Sequence, residues 1–310
     1  MRVALIGSAD FGKAALEAFL DRGDEVVAVF CPPDNPKSTK PEVLKEAAIA
    51  KGIKPLQFAS LKGPEASQAM IDANADICVM AYVLQFVPQE LVKIPKHGTI
   101  QYHPSLLPKY RGPSAINWAI ALGEDKTGLT IFRPSDGLDE GEVILQKEVA
   151  IGPDDTLGKI YFDYLFPVGI TALLEAADLV VAGKHQEVVQ DESQANYEGW
   201  FDANAAKIHW ATHIGQIYNL IRACNPAPGA WTKFGEQKVQ IYDCHKHVVA
   251  TFGAVKGKPG EITQITLDSF FVACHGGQIE VLKAKGATGK VSGAELAKEL
   301  NLQVGQFFSL

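Results

Sequence analysis

The stretch Gly98–Trp118, GTIQYHPSLLPKYRGPSAINW, decides the fold of this chain. Residues 99–102 alternate β-branched, polar and aromatic side chains with a period of two, which predicts a strand. His103 and Pro104 end that strand, because proline lacks the N–H that a sheet ladder needs. A long polar connection follows, and a helix restarts near Ser114. Ligands of open α/β sheets bind where strands end in such loops. The stretch alone therefore leaves two interpretations: a ligand site, or a surface loop with a capping histidine.

Short apolar strands and helices alternate around this stretch. Strands are predicted at 3–7, 25–30, 55–56, 77–81 and 99–102, with helices at 10–20, 41–52 and 65–73 between them. This alternation predicts an α/β fold, a Rossmann-like, doubly wound and mostly parallel sheet with right-handed crossovers. Antiparallel strands are predicted at 128–132 and 142–149, and a long helical region at 157–181.

The chain changes character after this helical region. Residues 183–206 are polar and lack a clear period, which we interpret as a linker. A helix at 214–223 then precedes short strands at 231–234, 239–242, 248–251, 261–266, 270–273 and 279–283, separated by Gly and Pro. That pattern predicts a small OB-like β-barrel. A length of 310 residues suits two domains. We predict a catalytic domain at 1–203 and an accessory barrel at 204–310.

Composition narrows the functional classes. The net charge of −7 argues against nucleic acid as the default partner of the whole molecule, although residues 205–310 hold 11 Lys and Arg against 7 Asp and Glu. Five cysteines without a C-x-x-C pair are typical of reduced cytosolic thiols. Met1 and Arg2 lead straight into an apolar strand, and no apolar run approaches the length of a membrane span. We expect a cytoplasmic protein that has no signal peptide and no membrane partner.

Two cofactor classes are disfavoured. The segment Gly7–Gly12, GSADFG, lies where a Rossmann phosphate loop would lie, but Ala9 occupies the second glycine position. The second strand ends in Cys31-Pro32-Pro33, without a carboxylate for a ribose. We therefore predict a structural turn, in which Asp10 caps the helix, and no NAD. Cys244-His245-Lys246-His247 is too closely spaced for a zinc site without distant partners, so no metal is expected.

The acidic turn Asp136–Gly141, DGLDEG, is the second informative stretch. The strands that flank it can neighbour the strand ending at His103, which would bring Asp139 to the imidazole. A carboxylate beside an imidazole favours the imidazolium, which can donate a proton to an oxyanion or a leaving amine. Gln101 projects from the same strand face as His103. An amide donor beside an imidazole suits acyl transfer. The alternative is a solvated hairpin.

Ser105 lies two residues after His103, and one interpretation of this pair is a nucleophile with its base. No G-x-S-x-G elbow surrounds Ser105, however. We predict that its hydroxyl caps or orients the loop.

Several motifs together resemble the folate-dependent formyltransferase family. They are His103-Pro104-Ser105-Leu106-Leu107-Pro108, Arg111-Gly112, Thr127-Gly128 and Asp136-Gly137-Leu138-Asp139-x-Gly141, with Ala206-Lys207-Ile208-x-Trp210 and Pro228-Gly229-Ala230-Trp231 near the C-terminus. Within the family, the likeness is greatest to the N-terminal hydrolase domain of 10-formyltetrahydrofolate dehydrogenase. Methionyl-tRNA formyltransferase and amino-sugar formyltransferases are also similar.

The resemblance implies 10-formyltetrahydrofolate as the formyl donor, with its pterin in an apolar cleft. The implied walls are Leu84, Gln85, Phe86, Val87 and Pro88, with Asp136, Gly137, Leu138 and Glu140 opposite. It implies His103 as general acid and oxyanion stabiliser, and Asp139 as the group that tunes it and orders water or a nucleophile. The loop that holds Ser105, Lys109 and Arg111 is predicted to gate the acceptor side.

The formyl acceptor stays open at this stage. The family's transferases carry asparagine where this chain has Gln101, which favours the hydrolase type and water as acceptor. Residues 34–41 hold only Lys37 and Lys40, whereas binding several phosphates takes a denser basic footprint, so tRNA is disfavoured. Transfer to an amine and a non-catalytic folate-binding module are the alternatives. Since no aldehyde dehydrogenase domain follows Leu310, we expect an excised domain of a larger protein or a free-standing relative.

Overall fold

The computed structural model describes residues 1–36, 40–287 and 289–309, so Lys37 lies outside the described residues. Its contacts divide the chain into two compact units. The first comprises Met1–Gly112, Gly128–Val149 and Phe162–Tyr197; the second comprises Pro113–Thr127, Ala150–Tyr161 and Glu198–Leu310. The sequence pattern did not predict that two short segments before residue 198 would group with the second unit. The domain boundary at 203 stays a prediction.

The elements up to residue 181 follow the predicted alternation. In chain order they are β1 Arg2–Gly7, α1 Ala9–Asp21, β2 Glu25–Cys31, α2 Val43–Ala50, β3 Pro55–Gln57, α3 Pro64–Ala73, β4 Ile77–Ala81, α4 Gln89–Val92, β5 Thr99–His103, α5 Ala115–Ala121, β6 Lys126–Phe132, β7 Val143–Ala150, α6 Leu157–Lys159, a π-helix Ile160–Leu165 and α7 Phe166–Val181.

One seven-stranded sheet organises the first unit, in the order β3-β2-β1-β4-β5-β6-β7. Strands β1 to β5 pair in parallel, and β6 runs antiparallel to β5. The predicted mostly parallel, doubly wound fold is thereby confirmed. Because β1, β4 and β5 are parallel, their carboxyl ends lie at the same edge of the sheet. His103 is the last residue of β5 and lies opposite Thr130 of β6.

Two local predictions were wrong. Asp10 does not cap α1: Ser8 is the N-cap residue, the helix begins at Ala9, and Asp10 lies in its first turn. Residues 183–197 are not a free linker, because they belong to the first unit, where Val188 bridges Val143 and Gln190 is buried. Most of residues 183–197 are exposed, and the buried residue among them is Gln190, whose side-chain amide donates to the carbonyls of Asp139 and Gly141.

The helical region Leu157–Val181 is confirmed, with the π-helix inside it. By length and composition it is long and apolar enough to cross a membrane, which the sequence pattern had not indicated. Its apolar face includes Ala172, Leu173 and Ala176, which are fully buried in the structure. A helix that packs its apolar face inside a globular unit meets the same length and composition criteria as a membrane span.

The second unit contains an antiparallel sheet. Its elements beyond residue 200 are α8 Ile214–Ala223, β8 Ala230–Phe234, β9 Gln237–Val248, β10 Ile262–Ile265, β11 Phe270–Cys274, β12 Gly277–Gly286, β13 Gly289–Ser292 and α9 Gly293–Glu299. The strand order is β10-β11-β12-β9-β8, with β13 also on β12. Trp210 is fully buried among the apolar side chains of these strands. The strand predicted at 248–251 was wrong, because only Val248 is in a strand, as the last residue of β9. Helix α9, which begins with a Ser292–Glu295 capping box, was not predicted.

The tight turn after β1 provides a test of this packing. A methyl group on Gly7 would lie 2.4 Å from the backbone oxygen of Ala81, which cannot move independently of β4. We expect Gly7→Ala to lower the free energy of unfolding by about 1–3 kcal/mol in urea melts. Gly199→Ala is the matched control, because nothing lies within 4 Å of the position that its methyl group would take. Equal stability of the two variants would contradict the packing described for this turn.

Candidate active site

The structure brings His103 and Asp139 together, as predicted. Both side chains are buried, and Nδ1 of the imidazole lies 3.4 Å from Oδ2 of the carboxylate. Nε2 of His103 lies 2.7 Å from the carbonyl oxygen of Tyr110. Because a carbonyl can only accept, this contact assigns a hydrogen to Nε2. Nδ1, beside the carboxylate, is then the nitrogen that can exchange a proton.

Asp139 is held in an unusual backbone conformation. Its φ is +57°, in the left-handed region, which is uncommon for residues other than glycine. Its Oδ2 accepts the N–H of Gly112 at 2.9 Å, and its carbonyl accepts the side-chain amide of Gln190 at 2.8 Å. These two bonds fix the carboxylate against His103.

Gln101 lies two residues before His103 on β5, so both project from the same sheet face. Its backbone pairs with Met80 of β4 and Phe132 of β6. The side chain is half-buried, and its amide makes no hydrogen bond within the part of the chain that the structure describes. The amide is therefore available to a bound molecule.

The segment predicted as the first cleft wall divides into exposed and structural residues. Leu84 and Phe86 are more than half exposed, Val87 is buried, and Pro88 is the N-cap residue of α4. The amide of Gln85 donates to the carbonyl of Phe58 at 3.1 Å, which makes Gln85 an anchor of the loop.

A small crevice lies at the carboxyl ends of β1, β2 and β4, where the strand order reverses. It is lined by Ile6, Gly7, Phe30, Cys31, Pro32, Val83, Leu84 and Gln85. This is the switch point at which open α/β sheets bind ligands. Burial raises the pKa of the Cys31 thiol to about 12, so the thiol beside the crevice stays protonated and is a poor nucleophile.

The predicted opposite wall is the turn of residues 136–140. Asp136, Leu138 and Glu140 are exposed, whereas Asp139 is buried. Gln89 of α4 donates its side-chain amide to the carbonyl of Pro134 at 3.0 Å. That bond ties the end of the 84–88 segment to the strand end that precedes the turn.

The connection after β5 is held by its own polar groups. The hydroxyl of Ser105 is buried and donates to the carbonyl of Lys109 at 2.6 Å, so it orients the loop. The Lys109 side chain is exposed. The guanidinium of Arg111 is buried, and its hydrogen bonds with Glu192 raise the pKa of Arg111 and lower that of Glu192. A gate role for this loop stays a prediction.

Sequence reasoning missed the residues that support this loop from a distance. Gln190 accepts from Arg111 and donates to the carbonyls of Asp139 and Gly141, and Asn196 accepts the N–H of Tyr110. They lie in the segment interpreted as a linker, where no period marks a buried face. Buried amides inside a polar run leave no signal in a single sequence.

The turn before α1 is occupied by a side chain of the protein itself. The backbone N–H of Ala9 donates to Oε1 of Glu42 at 2.7 Å, where a Rossmann protein would bind a pyrophosphate. A carboxylate at that position repels phosphate. Across residues 1–36, 40–287 and 289–309, no group of three or more His, Cys, Asp and Glu side chains is arranged to hold a metal ion.

The chain combines a Rossmann-like sheet, which carries a buried histidine–aspartate pair, with an antiparallel sheet in the second unit, and this is the fold class of the formyl transferases. The chain belongs to the formyl transferase family: residues 1–167 match the formyl transferase domain, and residues 202–300 match the C-terminal domain of formyl transferases.

Two curated relatives show how the chain compares with whole proteins. Human cytosolic 10-formyltetrahydrofolate dehydrogenase is 38% identical over 250 residues, which are 78% of this chain and 27% of the dehydrogenase. The chain thus spans about a quarter of the length of that relative. Methionyl-tRNA formyltransferase of Marinobacter nauticus is 34% identical over 289 residues, 92% of this chain and 91% of the relative.

A solved structure supports the fold. HypX from Aquifex aeolicus, crystallised in complex with tetrahydrofolic acid, superimposes with a TM-score of 0.65 at 17% identity. The superposition covers 100% of this chain and 51% of HypX. At this identity the likeness concerns the fold alone.

Proposed function

We propose that this protein removes the formyl group of 10-formyltetrahydrofolate, with water as the acceptor, in the manner of the hydrolase domain of the dehydrogenases. The observation that carries the proposal is the buried contact of 3.4 Å between His103 and Asp139, with the amide of Gln101 on the same sheet face. This arrangement supplies a proton donor, a carboxylate and a neutral hydrogen-bond donor for acyl transfer.

The residues around the crevice fit a flat, partly apolar donor. Leu84, which lines the crevice, is more than half exposed, as are Phe86 of the same segment and Leu138 of the 136–140 turn, so these apolar side chains are available to a ligand. The exposed carboxylate of Asp136 in that turn is a polar partner. Pockets for such ligands are apolar with a few polar groups. When bound, the donor supplies the formyl group as substrate.

The chain's own residues divide the chemistry between them. His103 donates from Nδ1, the ring nitrogen that does not contact the Tyr110 carbonyl, to the oxygen on which negative charge develops, and the Gln101 amide donates to the same oxygen. The Asp139 carboxylate accepts the proton of the attacking water as the water oxygen bonds to the formyl carbon. The bond from that carbon to the folate nitrogen then breaks, the nitrogen takes a proton from His103, and tetrahydrofolate and formate leave. Burial of both catalytic side chains strengthens these charge interactions, because little solvent screens them.

Substitutions of Gln101 test whether water or an amine is the formyl acceptor. We expect Gln101→Ala to lower kcat for formate release by about 10²-fold, since one oxyanion donor is lost. Gln101→Asn shortens the side chain by one methylene and restores the residue type of the transferases, so we expect it to raise formyl transfer to amines relative to hydrolysis. Formate and formylated product are measured for each variant. Unchanged kcat in Gln101→Ala would remove Gln101 from the oxyanion site.

A second candidate is formyl transfer to methionyl-tRNA, favoured by two cross-strand lysine pairs of the second unit. Cross-strand pairing puts Lys233 opposite Lys238, and Lys285 opposite Lys290, in the sheet that also carries Trp231. Lys238 lies 4.7 Å from the ring centroid of Trp231. Lysines interleaved with aromatic rings are typical of surfaces that bind nucleic acid.

One experiment separates these functions. The protein is incubated with 10-formyltetrahydrofolate alone, with charged initiator tRNA, or with an amino sugar, and formate and formylated products are quantified. Formate without an acceptor supports the hydrolase. Formylated methionyl-tRNA or sugar without formate would replace it with a transferase. Donor binding without any product would indicate a non-catalytic folate-binding module.

A further inference from the structure

The segment from Gln190 to Asn196, QDESQAN, forms hydrogen bonds with the backbone of Asp139 and with the backbone of Tyr110, which contacts His103. We call it the 190–196 strap and infer that Gln190 and Asn196 are positioning residues for His103 and Asp139. The inference rests on the proposed function only for its kinetic consequences, because the contacts themselves do not depend on the reaction.

Gln190 holds the backbone of Asp139 in place. Its side chain is 6% exposed, and its Nε2 donates to the carbonyls of Asp139 and Gly141, both at 2.8 Å. Its Oε1 accepts from Nε and Nη2 of Arg111 at 3.1 and 2.9 Å. Every hydrogen-bonding group of the Gln190 amide is therefore used. The two carbonyls belong to Asp139 and to the second residue after it, so Gln190 holds the turn at and just after Asp139. Asp139 has a left-handed φ of +57°, a conformation that persists only where the surroundings enforce it.

Asn196 holds the backbone that contacts His103. Its Oδ1 accepts the N–H of Tyr110 at 2.6 Å, and its carbonyl accepts the N–H of Arg111 at 3.1 Å. Tyr110 also has a left-handed φ of +57°, and its carbonyl is the partner of Nε2 of His103. The direction of that carbonyl decides which nitrogen of His103 carries the hydrogen. Asn196 thus acts on His103 through one intervening residue.

The two halves of the strap are joined through Arg111. Its guanidinium binds Gln190 and forms two hydrogen bonds with Glu192, at 3.0 and 2.6 Å. The next residue, Gly112, donates its N–H to the carboxylate of Asp139. A displacement of the strap would therefore alter the imidazole and the carboxylate together. A misplacement of about 1 Å from the productive geometry can cost about 10²-fold in rate.

Four substitutions test whether Gln190 and Asn196 position the catalytic side chains or only stabilise the fold of the strap. Gln190→Glu keeps an oxygen that accepts from Arg111, but it replaces the NH₂ group that donates to the two carbonyls. It should therefore lower kcat as much as Gln190→Ala does. Asn196→Asp keeps the acceptor for Tyr110, so it should retain function where Asn196→Ala loses it. Gln194→Ala is the matched control, since Gln194 is exposed on the same strap.

The test combines kinetics with a readout that needs no turnover. We expect Gln190→Glu and Asn196→Ala to lower kcat for formyl release by about 10²-fold, with the affinity for 5-formyltetrahydrofolate within about twofold of wild type. In ¹⁵N NMR, the His103 ring resonances should move in Asn196→Ala and stay in Asn196→Asp and Gln194→Ala. Unmoved His103 resonances in Asn196→Ala, or full activity in Gln190→Glu with only a lower Tm, would overturn the inference. If the wild type neither releases nor transfers formyl, the proposed function fails, and the NMR comparison still decides the role of the strap.

Discussion

His103→Ala abolishes formyl release while donor binding survives: this is the largest expected effect of a single substitution in this protein. In the proposed mechanism the imidazole is the proton donor to the developing oxyanion, and general acid–base groups contribute about 10²–10⁴-fold to rate. We expect kcat for formate release from 10-formyltetrahydrofolate to fall by at least about 10²-fold. The Kd for 5-formyltetrahydrofolate, measured by calorimetry, should stay close to that of wild type, because the proposed donor walls belong to other segments.

The control for this variant is His209→Ala. His209 is exposed, and its backbone carbonyl, which the substitution keeps, is the group that accepts from Thr212. It should retain wild-type kcat. Near-normal turnover in His103→Ala would place the chemistry elsewhere. Equal loss of binding and turnover would instead make His103 a residue that shapes the cleft.

The second large effect is expected for Asp139→Asn. Asparagine tolerates the left-handed conformation and can still accept the N–H of Gly112, so the fold of the turn should persist. What is lost is the negative charge 3.4 Å from the imidazole. Without it, no carboxylate orders the attacking water or accepts its proton. We expect kcat to fall by about 10²–10⁴-fold.

The matched control for Asp139→Asn is Asp268→Asn, which neutralises an exposed carboxylate of the second unit and should leave kcat unchanged. Thermal unfolding followed by circular dichroism reports whether each variant keeps its structure. A native Tm with lost activity supports an electrostatic role for Asp139. A native Tm with full activity would contradict the mechanism, because the charge of the carboxylate would then not be needed.

The architecture around β5 follows from local patterns in the amino-acid sequence. Alternating apolar strands and helices predict a parallel sheet, because each element must bury one face and the crossovers are right-handed. The proline after His103 ends the strand by removing a backbone donor, which places the imidazole at the ligand-binding edge of the sheet. The family motifs, together with this pattern, were enough to predict that His103 and Asp139 meet.

The way in which these side chains are held depends on contacts that form only in the folded chain. Gln190 reaches the carbonyl of Asp139 across 51 residues of sequence, and Asn196 reaches the N–H of Tyr110 across 86. Such bonds depend on carbonyl and N–H groups that left-handed turns at Tyr110 and Asp139 direct inward. A polar segment that satisfies distant backbone has no hydrophobic period, so its sequence looks like a linker. A buried face that repeats periodically can be predicted from one sequence. The hydrogen bonds of Gln190 and Asn196 follow no period, so only the tertiary structure decides which left-handed turns they contact.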